Sequence, residues 1–353
     1  MTNAPALREF LALPRQLHDH RYVPIPHQTI NRWYRDGVAL HLLRDSSGRV
    51  IARTTLHTDA AFDTKLSRRP QLFGLTEFRP GAGAALFAEI GRAARRNGRD
   101  GVFGPVSLLP NQAGGVITSG FADRGFIDSA WNPEYYPKEY ESFGFTRRFE
   151  SDTWICPTDA DPDTAFSFDD ARLSAERLRL HRGDRRRIAT QLPILREMLN
   201  ESFAQLGYYT GISAEQLAAQ TDGLAYLLDE SLLLYLTEAD RPVAFVLCVP
   251  DISEFLGKID GDLGLRNQLR LLAGRSRYRR EAVLVIKGTV PGRQGCGYMR
   301  YLSRELLRNL RAGGYEQLRS TFVERANPAS AAHYRAMGGR PLHGYTFYDK
   351  DLR

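Results

Sequence analysis

Short runs of alternating apolar and polar residues predict strands in this chain, and stretches with helical spacing separate them. The two rhythms follow one another in the same order twice. In the first half, "VALHLLRD" and "RVIARTTLHT" flank Ser46-Ser47-Gly48 and predict two strands around a tight turn. "GAGAALFAEIGRAARRNG" then predicts a helix with Gly98 as its C-terminal stop. "GVFGPVSL" (101–108) reads as a buried strand, and "WNPEYYPKEYESFGF" as a short helix running into a turn.

The second half repeats this grammar. Leu195, Met198, Leu199, Ser202 and Phe203 recur at helical spacing within "LPILREMLNESFAQLGYY". "LLLYLTEADRPVAFVLCV" predicts a strand pair around Asp240-Arg241, and "EAVLVIKGTV" another strand. A glycine-rich loop and a helix come next, then "QLRSTFVE" as a strand, "NPASAAHYRAMGG" as a short helix and "HGYTFYDKDL" as a closing strand. Asn132-Pro133 with Gly144 echoes Asn327-Pro328 with Gly338-Gly339, so two copies of one α/β unit are expected. The seam is the Pro-, Asp- and Ser-rich "CPTDADPDTAFSFDDARLSAERL". The expected division is a first unit at 1–155, a linker at 156–180 and a second unit at 181–353.

Composition narrows the class. The chain has 353 residues, 42% of them apolar and 25% charged, as expected of a globular protein of about two domains. No run approaches the ~20 apolar residues that span a bilayer. The N-terminal stretch lacks a basic segment followed by an apolar one, so a cytoplasmic protein with no membrane partner is expected. Three cysteines, Cys156, Cys248 and Cys296, are odd in number and scattered, which predicts neither a disulfide framework nor a metal cluster. The net charge of +7 favours an anionic partner: nucleic acid, a nucleotide-bearing cofactor or an acidic protein.

The densest chemistry lies in "PGRQGCGYMRYLSRELLRNLRAGG", from Pro291 to Gly314. Gly292, Gly295 and Gly297 permit positive φ and close backbone approach between a strand and a helix, where N–H groups can cradle an anion. An ordinary tight turn is the plainer meaning, and the strand–loop–helix context favours the cradle. Cys296 is expected to pack behind the loop, because a cysteine nucleophile needs an adjacent base.

With these residues in view, the second half (roughly 182–353) resembles the GCN5-related acetyltransferases. The resemblance rests on "VLVIKGTVPGRQGCGYMRYLSRELL" and "ERANPASAAHYRAMGGRP". The first half resembles a degenerate copy, with "PGAGAALFAEIGRAARRNG" in place of the loop and helix. The fold class implied is α/β, with two tandem GNAT-like mixed β-sheet domains flanked by helices. The activity implied is direct acyl transfer from a pantetheine thioester, on coenzyme A or an acidic acyl carrier protein, to an amine of a small molecule, without metal. The donor-binding residues implied are Val290, Gly292, Arg293, Gln294, Gly295, Cys296, Gly297, Asn327 and Tyr334. The family loop starts with Gln or Arg and ends in Gly-x-Gly. Here Gly295-Cys296-Gly297 fits the end while Gly292 stands first, so Arg293 and Gln294 are expected to supply the missing contacts.

Tyr334 is the expected acid for the departing thiolate, and Glu324 the expected base for the amine. The alternatives are a half-buried aromatic and a solvated strand-end carboxylate. His333 points about 100° away from Tyr334 on a helix and is the poorer acid. Asp251 and Glu254 either receive the amine or cap a helix. Six arginines in "RNQLRLLAGRSRYRR", with Arg300, Arg304, Arg308 and Arg311 on one helix face, read as solvated faces or as a donor-side anion surface. Two readings stay open beside acyl-thioester transfer: amide formation from an aminoacyl-tRNA, and non-catalytic binding of an acyl thioester or metabolite. The stretch "HDHRYVPIPH" reads as an extended lead-in packing on the first unit.

Overall fold

The computed structural model describes residues 4–35, 38–107, 114–221 and 228–352. In chain order the first half contributes α1 (Ala4–Leu17), α2 (His27–Arg35), β1 (Ala39–Arg44), β2 (Val50–His57), α3 (Ala60–Leu66) and β3 (Pro70–Phe78). It continues with α4 (Gly83–Arg96), β4 (Gly101–Gly104), β5 (Val116–Ser119), α5 (Tyr135–Ser142) and β6 (Thr146–Pro157). Two short helices follow, α6 (Pro162–Ala165) and α7 (Ala171–Ala175). The second half holds β7 (Leu178–Arg182), α8 (Ile188–Phe203), α9 (Ala214–Thr221), β8 (Leu233–Glu238), β9 (Arg241–Pro250), α10 (Ser253–Lys258) and α11 (Leu265–Gly274). It ends with β10 (Glu281–Thr289), α12 (Tyr298–Ala312), β11 (Gln317–Glu324), α13 (Pro328–Ala336) and β12 (Arg340–Asp351).

Local chemistry explains the turns. Asp45 accepts the backbone N–H groups of Ser47 and Arg49, and Gly48 takes φ +84° to close the β1–β2 hairpin. Ala239 and Asp240, both at positive φ, make the β8–β9 turn. The expected strand at 101–108 is shorter: β4 stops at Gly104 before Pro105, and Leu108 lies outside the described residues.

The strands form one mixed sheet in the order β1-β2-β3-β4-β12-β6-β11-β10-β9-β8-β7, with β5 beside β12. The pairs β3–β4 and β10–β11 are parallel, and the other pairs are antiparallel. The last strands of the two halves change places. β6 pairs with β11, from Gln317↔Pro157 to Glu324↔Ser151, and so extends the second half's sheet. β12 returns to pair with β4, from Tyr348↔Gly104 to Asp351↔Gly101. The exchanged strands pair with each other from Arg340↔Ile155 to Asp349↔Thr146. β6 therefore runs across the seam expected at residue 155, and α6 and α7 lie on the stretch expected as linker.

The second half buries its sheet on both faces. Leu302, Leu306, Leu307 and Leu310 of α12 pack with Tyr334 of α13 against Trp154, Cys156, Val246 and Cys248. On the opposite face Leu195, Met198 and Leu199 of α8 cover Tyr235 and Phe245. Gly288 admits α8 at close range, since a Cβ there would lie 2.9 Å from Ser202 Cβ and from the Phe245 ring.

Candidate functional site

β10 carries the site because it leaves its parallel neighbour. Its ladder to β11 spans only Glu281–Leu284 opposite Gln317–Ser320. A register shift against β9 between Leu284 and Ile286 leaves Val285 as an extra residue, a bulge that turns the strand. The Thr321 hydroxyl donates to the Val285 carbonyl at 2.8 Å, at the base of the wedge so formed.

The glycine loop lies at the C-terminal end of β10. Pro291–Arg293 form a single 3₁₀ turn, Gly295 and Gly297 take φ +80° and +82°, and Gly297 caps α12 without a side-chain bond. Arg293 N–H bonds Val290 O, Gln294 N–H bonds Pro291 O and Cys296 N–H bonds Arg293 O. The N–H groups of Gly295, Gly297, Tyr298 and Met299 have no hydrogen-bond partner among the described residues. Together they make an anion nest at a helix N-terminus. Arg300, in the first turn of α12, is exposed and adds a cation with no ion pair among the described residues.

The expected loop residues divide. Arg293 is held by Glu238 at 2.6 Å, and Gln294 Nε2 reaches only Thr289 O at 3.4 Å, so both side chains brace the loop. The Cys296 carbonyl accepts from Arg172 of α7 at 3.0 Å, and its half-buried side chain packs on the core behind the loop. Tyr298 Oη sits 2.8 Å from Glu176 and 2.7 Å from Glu238, tying linker, loop and β8 together. Gly292 is exposed and an added Cβ would meet nothing within 4 Å. Asn327 is the N-cap of α13, its side chain accepting Ser330 N–H at 3.1 Å, with Pro328 in the first turn. That role is structural.

Tyr334, 3% exposed, stacks on Trp154 at 5.7 Å. Burial and then nearby Cys156 hold its phenol well above the ordinary value. Sequence reasoning passed over Lys287, whose Nζ lies 4.1 Å from the centre of the Tyr334 ring. It makes no hydrogen bond or ion pair among the described residues, and burial pulls it down to about 8 while Cys156 and Cys248 push the other way. The signal was in the sequence: a lysine inside the apolar run "EAVLVIKGTV", where a buried strand has no use for a charge. His333 shares Ser303 Oγ at 3.0 Å and is driven to about 3 by burial, Lys287 and Arg300, so it stays neutral. Glu324 ends β11 with a half-buried carboxyl that burial raises and that no side-chain donor among the described residues holds.

Other expected participants are engaged elsewhere. Asp251 accepts from Ser253 N–H and from Arg124 at 3.0 Å, inside a cluster with Glu281 and Arg319, while Glu254 pairs with Lys258. Neither is open to an amine. Arg304, 3% exposed, binds Asp170, Arg308 binds Asp163 and Arg311 donates to Ala160 O. These three fasten the linker to α12, so the expected donor-side face reduces to Arg300. The arginines of 266–280 lie before β10, at the end opposite the loop.

The first half has the same parts, closed. Gly74, the register counterpart of Leu284, faces the Val106 carbonyl so closely that a Cβ would lie 1.9 Å from its oxygen. Val106 N–H bonds Phe73 O at 2.8 Å, and this backbone fills the wedge between β3 and β4. Glu77, at the register position of Lys287, is bound by His18 at 2.6 Å and Tyr136 at 2.9 Å, with Arg53 3.8 Å away. His18 belongs to the expected lead-in, which does pack on this half. Glu139 accepts the N–H groups of Gly81 at 2.7 Å and Gly83 at 2.8 Å, filling the counterpart of the open nest with an internal carboxylate.

No family model matches the chain. It is 24% identical over 223 residues to protein YghO of Escherichia coli K12, covering 62% of this chain and 56%, about half, of that protein. Among solved structures, a GCN5-related N-acetyltransferase from Sphaerobacter thermophilus superposes with a TM-score of 0.53 at 12% identity, over 93% of this chain and 86% of its own. A tandem GNAT protein of the clavulanic acid biosynthesis pathway gives 0.53 at 14% identity, over 98% and 93%. The GCN5-related glucosamine N-acetyltransferase region of a fungal multi-domain β-N-acetylglucosaminidase gives 0.59 at 13% identity, over 99% of this chain and 37% of that one. With its two sheet units, one wedge open and one filled, its glycine loops and its exchanged last strands, the chain has the tandem fold of the GCN5-related N-acetyltransferases.

Proposed function

We propose that the second half transfers an acyl group from a pantetheine thioester, on coenzyme A or a carrier protein, to an amine of a small molecule. One contrast carries this reading: the nest at Gly295–Met299 is open, while Glu139 fills its counterpart in the first half. Water satisfies the exposed N–H groups of the second loop, so they stay available to an anion, whereas those of the first loop are taken by a carboxylate.

In this reading the nest and Arg300 hold the donor's pyrophosphate, and the pantetheine arm follows the wedge beside β10. The amine attacks the thioester carbonyl, whose oxygen is met by a backbone N–H of β10 on its wedge side; the Val290 N–H is not that donor, since it is given to Val243 O at 3.0 Å. As the C–S bond breaks, the electron pair goes to sulfur. Tyr334 supplies its proton, and the Lys287 charge stabilises both the thiolate and the phenolate that briefly replaces it. Glu324, raised by burial, takes the proton that the amine sheds. Each group thus has one task, and no metal is needed for proton balance.

The test is thiol release from short- and long-chain acyl-coenzyme A in the presence of a panel of primary amines. Amine-dependent release that Tyr334→Phe suppresses supports the reading. Saturable donor binding with no release for any amine favours a binding module instead.

A further inference from the structure

The longest unabsorbed feature is α11. It is anchored from below by Leu271, which packs with Ile252, Phe255 and Leu256. Its outer surface carries an apolar stripe where a solvent-facing helix should be polar. Leu265 is 74% exposed and Leu269 59% exposed, the two exposed large hydrophobics among the described residues. With exposed Ala273 they stand at i, i+4 and i+8, one continuous stripe on the face away from Leu271.

A basic border runs beside this stripe. Arg266 and Arg270 lie one residue along from each leucine, and Arg275 and Arg277 follow in the exit turn, all four exposed. Arg270 donates to Asn267, and Arg266, Arg275 and Arg277 have no ion pair among the described residues. The nearby acids are already occupied. Asp262 accepts from Gln28 and Gly264 N–H, Glu254 pairs with Lys258, and Glu316 with Arg280. An exposed leucine stripe with uncompensated arginines along its flank is the pattern of a helix lying in a lipid–water interface.

We propose that α11 seats this chain on an anionic bilayer surface, its leucines at the headgroup–acyl boundary and its arginines among lipid phosphates. Two observations favour a bilayer over an acidic carrier protein. The stripe is convex, on a helix lying on the protein's surface, and suits a deformable apolar phase. It also lies before the N-terminal end of β10, while the pantetheine-binding loop of the proposed function follows the far end, roughly 25–30 Å away along a nine-residue strand. A carrier docked at α11 would stand at the wrong end to deliver its arm. Among the described residues no helix is long and apolar enough to cross a membrane, so the contact is interfacial.

The experiment is co-sedimentation of the full chain with phosphatidylglycerol-rich vesicles and with vesicles of phosphatidylcholine alone. Binding is expected to the anionic vesicles, weakening as salt rises. Leu265→Asp/Leu269→Asp should reduce it by about tenfold or more, and Arg266→Gln/Arg270→Gln should reduce it and flatten its salt dependence. Both pairs are exposed, so unchanged circular dichroism and melting temperature would separate lost docking from lost fold. Equal binding by wild type and the leucine variant, no vesicle binding at all, or capture by an immobilised acidic carrier protein in place of vesicles would each overturn the assignment.

Discussion

The Lys287 ammonium lies 4.1 Å from the centre of the Tyr334 ring, and no carboxylate among the described residues pairs with it. In the first half the same register position holds Glu77, enclosed by His18, Tyr136 and Arg53. One fold thus carries a buried charge enclosed by partners in one copy and a half-buried charge without a hydrogen-bond or ion-pair partner among the described residues in the other. A cost retained at one site only is the mark of a group kept for what it does to a ligand.

That cost is measurable. Lys287 falls from an ordinary 10.5 to about 8 on folding, so between those values the unfolded chain binds more protons and stability rises with pH. Below about 8 the lysine is charged in both states and the folded chain bears the full penalty, which solvent reaching the half-buried ammonium reduces. Lys287→Met should therefore raise stability at neutral pH, by about 1 kcal/mol for a half-buried ammonium, and lose most of that advantage near pH 10. Urea unfolding at the two pH values reads this directly. A variant less stable than wild type at pH 7 would show that the lysine is structural.

The same substitution should depress turnover by about a hundredfold, because the leaving thiolate loses its nearby charge. Wild-type activity should fall as pH rises through about 8, where Lys287 discharges. A pH–rate profile with no break in that region argues against a cationic role.

Tyr334→Phe should lower kcat by roughly 10²–10⁴ and leave donor affinity unchanged, since only the proton is removed. The ring still stacks on Trp154, so the melting temperature should hold. Equal kcat in both proteins would move the acid to another group.

Much of this was legible in the sequence. The β1–β2 and β8–β9 hairpins, the helix ending near Gly98, the glycine loop and the Asn-Pro segments all announce themselves through local chemistry that tertiary contacts do not overrule. Asn327 was legible as part of a motif but serves as a helix cap. Arg304 and Arg308 looked like a charged face, yet their partners, Asp170 and Asp163, lie in a linker that periodicity cannot place. The exchange of β6 and β12 had no local sign at all, because either strand has the alternation needed to enter either sheet.

That exchange has a consequence for dissection. We propose that the seam near residue 156 separates two sequence units that fold as one. Fragments 1–157 and 158–353 expressed apart should each lack a central sheet partner and aggregate, whereas co-expression should yield a stable complex. Two soluble, monomeric, cooperatively melting fragments would mean that each half closes its own sheet.

Glu139→Ala removes the acceptor for Gly81 and Gly83 N–H and should cost about 1–3 kcal/mol. Donor affinity should not change if, as proposed, the second half holds the ligand. A second binding stoichiometry appearing in this variant would show that the carboxylate alone had been closing the first loop.

The most direct measurement is a calorimetric titration with acetyl-coenzyme A of the wild type, Gly295→Glu and Gly292→Ala. A Cβ at either position meets nothing within 4 Å, but Gly295 has φ +80° and lies within the nest, so a glutamate there strains the loop and sets a negative charge beside its free N–H groups, whereas Gly292 lies outside them. The account predicts one saturable site per chain in wild type and Gly292→Ala, and none in Gly295→Glu. Binding that survives in Gly295→Glu would contradict it, because the anion would then be held somewhere other than the open loop.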